Sequence, residues 1–176
     1  MKYLDSFRRI AMAVMLVFLV GCAGINYEIP QSFDLTGSWI LDEESSDVTP
    51  DLSKIQESEQ RRAISGRQSD PTDSATFIVH DFPVVAAETM RIEQDAESMG
   101  IQFKEAPYVD YKWGRQVRNR WRIEVGWSGE SLVISKARDS VRGSETYTLN
   151  GNVLTIRVRV NAGKERMVLD RIYTRE

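Results

Sequence analysis

Few side chains in this sequence could do chemistry, and their counts bound what that chemistry is. Cys22 is the only cysteine and His80 the only histidine among 176 residues. One of each removes most metal-site and triad chemistry, and a single cysteine forms no disulfide within the chain. His80-Asp81 has the order of an oriented base, but no Gly-x-Ser-x-Gly elbow presents a nucleophile to it and no glycine-rich phosphate loop occurs. Asp42-Glu43-Glu44-Ser45-Ser46-Asp47 is the densest acidic run. It lacks the central glycine and terminal glutamate spacing of an EF-hand loop and reads as a solvated connection. Paired carboxylates for glycan hydrolysis are easy to imagine among 26 acidic residues and impossible to assign. No catalytic, cofactor-binding or metal-binding residue is therefore assigned, and the chain reads as a non-enzyme.

Arginine is the more informative residue. Tyr108, Tyr111 and Trp113 interleave with Lys112, Arg115, Arg118, Arg120 and Arg122. Read as one strand, Arg118, Arg120 and Arg122 share the face opposite Trp121 and Ile123. Arg157 and Arg159 likewise oppose Ile156 and Val158, and Arg142 could join them. Guanidinium groups grip carboxylate and phosphate in a fork, so these five arginines form a candidate face for an anionic partner. The competing reading is a solvated strand face neutralised by Glu124 and Glu145. Trp39, Trp121 and Trp127 fall on the interior side by parity, where they either fill a core or line a pocket.

The elements that hold these groups begin with a short secretory signal. Lys2, Arg8 and Arg9 precede an apolar run over residues 10–20, too short to span a bilayer, and Leu19-Val20-Gly21-Cys22 closes it. This resembles the lipobox signal of bacterial lipoproteins. The resemblance implies cleavage before Cys22, with a diacylglycerol on its thiol and an acyl chain such as palmitate on its amine. A cleaved signal of ordinary secretion stays open as the alternative. One acyl chain gives marginal attachment, whereas three would hold the protein permanently. Ala23 after the cysteine, rather than aspartate, implies the periplasmic face of the outer membrane, with the inner membrane as alternative. Removing residues 1–21 leaves roughly 155 residues, enough for one domain with a real core. The cut also takes three cations and one carboxylate, so the remainder is more acidic than the whole-chain net charge of −3. That balance argues against nucleic-acid partners.

Residues 22–34 read as a lipidated N-terminus and tether, long enough when extended to float the domain a few nanometres away. Residues 35–176 read as a single antiparallel β domain. Thr49-Pro50-Asp51 predicts a helix start, with Thr49 as N-cap, for one helical excursion near residues 50–65. Residues 66–74 read as a polar loop and Phe77-Ile78-Val79 as a short strand. From Met90 onward, period-two alternation continues to Tyr173. Pairing Trp127 with Leu132, and Leu149 with Leu154, leaves Gly129-Glu130 and Gly151-Asn152 as two-residue loops of type II′. The fold class is mainly β: an antiparallel up-and-down barrel of about eight strands, or a strongly curved open sheet.

Gly37-Ser38-Trp39-Ile40-Leu41-Asp42 resembles the Gly-x-Trp strand that opens lipocalin-like domains. In that family a late arginine packs over the strand-one tryptophan, and Arg171 is the position the resemblance proposes. The expectation is a membrane-anchored binding module for an apolar or amphipathic ligand, or for an envelope protein. A structural or assembly accessory acting through the cationic strand face is the alternative, and a glycan hydrolase the third reading.

Overall fold

The computed structural model describes residues 24–30, 33–66, 80–104, 106–162 and 165–176. Ten strands make one antiparallel sheet: β1 Gly37–Leu41, β2 Thr89–Gln94, β3 Ser98–Phe103, β4 Val109–Lys112, β5 Gly114–Arg118, β6 Trp121–Ser128, β7 Ser131–Arg138, β8 Val141–Asn150, β9 Val153–Ala162 and β10 Glu165–Arg175. Their order in the sheet is β4-β3-β2-β1-β10-β9-β8-β7-β6-β5. The chain's first strand thus pairs with its last, Trp39 opposite Arg175, and curls the sheet into a nearly closed barrel. The two edge strands β4 and β5 are consecutive in the chain. Arg118 spans them, its Nη1 donating to the carbonyl of Asp110 at 3.1 Å.

Alternation produces the core. Ile123, Val125 and Trp127 of β6, Leu132 and Ile134 of β7, Leu154, Ile156 and Val158 of β9, and Tyr173 of β10 are all buried. Two hairpins follow the sequence reading. Trp127 faces Leu132, Leu149 faces Leu154, and Gly129 and Gly151 each take φ 60. Among the described residues their loop partners Glu130 and Asn152 do not share that positive φ, as a type II′ turn requires.

The strand count exceeds eight because residues 109–118 form two strands that the sequence conceals. β4 and β5 are half-exposed and carry little apolar alternation. Asn119 and Arg120 both adopt positive φ, 50 and 68, which turns the chain back between β5 and β6. The expected continuous strand through residues 118–122 therefore does not exist. The helix α1, Leu52–Ile64, begins later than expected: Asp51, not Thr49, is the N-cap, its carboxylate accepting the Lys54 N–H at 3.1 Å. Leu52 and Ile55 pack on the core, and the rest of the helix is polar apart from Ala63 and the exposed Ile64 at its end. The strand expected at 77–79 and most of the loop expected at 66–74 lie outside the described residues. No helix of the described residues is long and apolar enough to cross a membrane.

Candidate functional site: the barrel interior and the outer arginine groove

The centre of the barrel is occupied by a segment that belongs to no strand. Phe82 and the 3-10 turn Pro83–Val85 are buried, with Phe82, Val84 and Val85 completely shielded from solvent. Phe82 packs edge-on against Trp121 at 6.0 Å and lies 4.6 Å from the Lys136 ammonium. Its ring occupies space left by Gly143, an inward position of β8. A Cβ there would collide with Phe82 Cζ and lie 2.7 Å from Cε1. The Tyr173 hydroxyl, from β10, donates to the carbonyls of Val84 at 3.2 Å and Ala87 at 2.9 Å. Residues 82–85 therefore form a plug gripped by side chains from three sides of the barrel.

A belt of buried polar groups rings this plug. The Lys136 ammonium donates to Glu145 Oε1 at 2.6 Å and to the Asp81 carbonyl at 2.7 Å. The Tyr147 hydroxyl donates to Glu145 Oε2 at 2.7 Å. Desolvation opposes the Lys136 charge, but attraction to Glu145 and Tyr111 outweighs it and holds the ammonium above its usual range. Burial pushes the phenols of Tyr111 and Tyr147 upward, and that of Tyr173 to about 12.

Arg171 completes the belt, one β10 pleat away from Tyr173. It is 1% exposed, and its Nη1 donates to the Asp47 carbonyl at 2.8 Å. Its Nε and Nη2 are buried without a partner among the described residues. The belt thus holds two cations, Lys136 and Arg171, against the single carboxylate of Glu145. At its rim, a cavity of about 40 Å³ opens beside His80, Asp81, Tyr111, Arg118 and Trp121. There Asp81 accepts the Trp121 indole N–H at 2.8 Å and pairs with Arg138 at 3.5 Å.

The three tryptophans of the sequence reading all face inward and are packed. Trp127 stacks edge-on with Phe33 at 4.4 Å. Trp39 donates its indole N–H to the Leu35 carbonyl at 2.9 Å and carries a guanidinium 4.7 Å from its ring. That guanidinium is Arg175, directly across from Trp39 in the ladder, so Arg175 takes the place the lipocalin resemblance proposed for Arg171.

The five arginines do not form one stripe. Arg118 lies opposite Trp121 and shares its inward side, 5.2 Å from the Tyr111 ring. Arg120 sits in the turn and meets Asp139 at 3.5 Å. Arg157 is held by both carboxylate oxygens of Asp170, at 2.7 and 2.6 Å. Only Arg122 and Arg159 come together, joined by Arg142 and Arg115 around an outer groove of about 820 Å³. Glu145, expected to neutralise this face, points into the barrel instead. Its parity with Tyr147 and that of Lys136 with Ile134 were the signals that place both inside.

No family model matches the chain, and no curated relative matches it. Among solved structures, human cRBP IV is similar to it with a TM-score of 0.52 and 18% identity, covering 82% of this chain and 99% of that one. A single-substitution variant of the fluorescent protein UnaG is similar with a TM-score of 0.50 and 18% identity, covering 81% of this chain and 96% of that one. At such identity the likeness concerns the fold, a lipocalin-like antiparallel barrel.

Proposed function

We propose that this chain is a non-enzymatic binding lipoprotein of the bacterial cell envelope, whose barrel takes up an amphipathic molecule with an apolar tail and an anionic head. One observation carries the reading: the buried guanidinium of Arg171, whose Nε and Nη2 have no hydrogen-bond partner among the described residues. An unsatisfied buried donor costs about 1–3 kcal/mol, and an unpaired buried cation costs more. A carboxylate bound at Nε and Nη2 would give each of these atoms a partner and balance the extra positive charge of the belt. Displacement of the plug supplies the room: residues 82–85 leave, the tail takes the apolar space, and Tyr173 exchanges the Val84 and Ala87 carbonyls for the ligand head.

Support for anchoring comes from the sequence, where the sole cysteine falls at the end of a lipobox-like signal. Cys22 would hold the domain at the periplasmic face of the outer membrane. Acylation is read by the intact mass of the N-terminal peptide from envelopes, and an unmodified Cys22 would overturn it. Ligand binding is tested with parinaric acid, a fluorescent fatty acid, on wild type and Arg171→Met. A charge-assisted hydrogen bond is worth about 1.5–3 kcal/mol, so the variant should bind about 10- to 150-fold more weakly. A fatty alcohol should bind both proteins alike. Wild type that ignores the acid, or a variant that binds it equally, sinks the proposal.

A further inference from the structure

The outer groove and residues 25–27 meet on the same side of the barrel. Two cross-strand rows floor the groove. In one, Val117 faces Arg122, Arg122 faces Ala137, Ala137 faces Arg142, and Arg142 faces Asn161. In the other, Arg115, Glu124, Ser135, Ser144 and Arg159 follow one another in the same way. Glu124 is already engaged, accepting from Arg115 Nε at 2.9 Å and from the Tyr27 hydroxyl at 2.5 Å. Arg142 uses Nη1 on the carbonyls of Asp139 and Val141. No carboxylate is paired with Arg122, Arg142 or Arg159 by an ion pair among the described residues. Neighbouring strands lie about 4.8 Å apart, so Arg122 and Arg142 are separated by about 10 Å and Arg159 is a diagonal neighbour of Arg142. Three cations at that spacing, with Ser135, Ser144 and Asn161 between them, complement phosphodiester groups better than a single small anion.

Tyr27 ties the groove to the chain's N-terminal segment. Asn26 exchanges both backbone hydrogen bonds with Trp127, at 2.8 and 2.6 Å. Gly126 makes this approach possible, since a Cβ there would collide with Ile25 and lie 2.5 Å from the Asn26 carbonyl. Residues 25–27 are therefore fastened along β6 at the groove's edge, and the tether expected to float freely is short. Asn26 lies four positions after Cys22, at most about 14 Å of extended chain. That is less than the roughly 30–40 Å breadth expected of a domain this size. An acylated Cys22 would hold the groove side against the bilayer.

We infer that the arginine groove is the membrane-facing surface of the domain and seats the phosphates of anionic glycerophospholipids. The orientation rests on the proposed acylation of Cys22; the lipid affinity does not. The test is therefore made with the mature chain, residues 22–176, carrying Cys22→Ser, so that no anchor contributes. It is mixed at low salt with vesicles of phosphatidylcholine alone or of phosphatidylcholine with phosphatidylglycerol, and the bound fraction is read after flotation. Binding is expected only to the anionic vesicles and should fade at high salt. A basic side chain near an anionic surface contributes about fivefold in partitioning, so Arg122→Glu with Arg159→Glu should lower it at least about 25-fold. Arg91→Glu with Lys104→Glu, the same charge change on β2 and just after β3, should lower it far less. Equal loss in both pairs would mean net charge alone, and the inference would fall. It would also fall if the two vesicle types bind alike, or if free glycerol phosphate at millimolar concentration displaces the protein.

Discussion

Replacing Gly143 by alanine puts a Cβ where the Phe82 ring now lies, against Cζ and 2.7 Å from Cε1. Ordinary carbon contacts need about 3.5–4.0 Å, so the ring must retreat by about an ångström while the plug is in place. Gly143 is not in the positive-φ region, so alanine itself suits the strand. Overpacking of this kind costs about 1–3 kcal/mol, borne only by the state in which residues 82–85 fill the barrel. Thermal unfolding without ligand should therefore shift down by about 2–4 °C per kcal/mol for a domain of this length. Binding should move the other way. If the plug must leave before a ligand enters, raising the energy of the closed state by that amount tightens apparent affinity by about 5- to 150-fold. Both are measured on one preparation, by calorimetry and by parinaric acid fluorescence. Lower stability with unchanged or weaker binding would show that Phe82 is permanent core, and the displacement argument would fail.

Three further expectations follow from the buried belt. Glu145→Gln leaves the Lys136 ammonium buried without its counter-charge and should cost about 3–5 kcal/mol in urea unfolding, whereas Lys136→Met with Glu145→Leu should recover most of it. Equal losses in the two would mean the pair is not coupled. Stability should fall as pH rises from about 10 towards 12. Buried Tyr173 keeps its proton up to about 12, while phenols of the unfolded chain ionise near 10, so the unfolded state is favoured across that window. Tyr111, Tyr147 and Lys136, all raised, act with the same sign. A flat profile over this range would contradict their burial. Arg171→Met removes a buried charge that has no ion-pair partner among the described residues, so its melting temperature should equal or exceed that of wild type even as fatty-acid binding weakens; a large fall would mean Arg171 is paired in the apo protein.

Much of the barrel was legible because period-two patterning is strong where strands bury one face. Trp127 opposite Leu132 and Leu149 opposite Leu154 could be read from glycine turns and parity alone. The edge strands could not, since Gln116 and Val117 bury too little to leave an alternating trace, and Asn119-Arg120 is not a glycine turn. That hidden turn also scattered the expected arginine stripe. The plug was invisible for a different reason. Phe82 to Val85 is a short apolar run at a proline, and only Gly143 on a distant strand reveals where it docks. Arg171 sat at inward parity beside Tyr173 throughout, but a lone arginine on an apolar face means little until its Nε and Nη2 are seen to lack partners among the described residues.

Amide hydrogen exchange of the plug during ligand uptake tests the central claim most directly. Val85 N–H donates to the Phe82 carbonyl at 3.0 Å and Ala86 N–H to that of Pro83 at 3.1 Å, and Phe82, Pro83 and Val85 are buried while Ala86 is half-buried. Saturation with parinaric acid should strip protection from these two amides while those of β6 to β10 keep theirs. Fatty acid bound with both amides still protected would contradict the account.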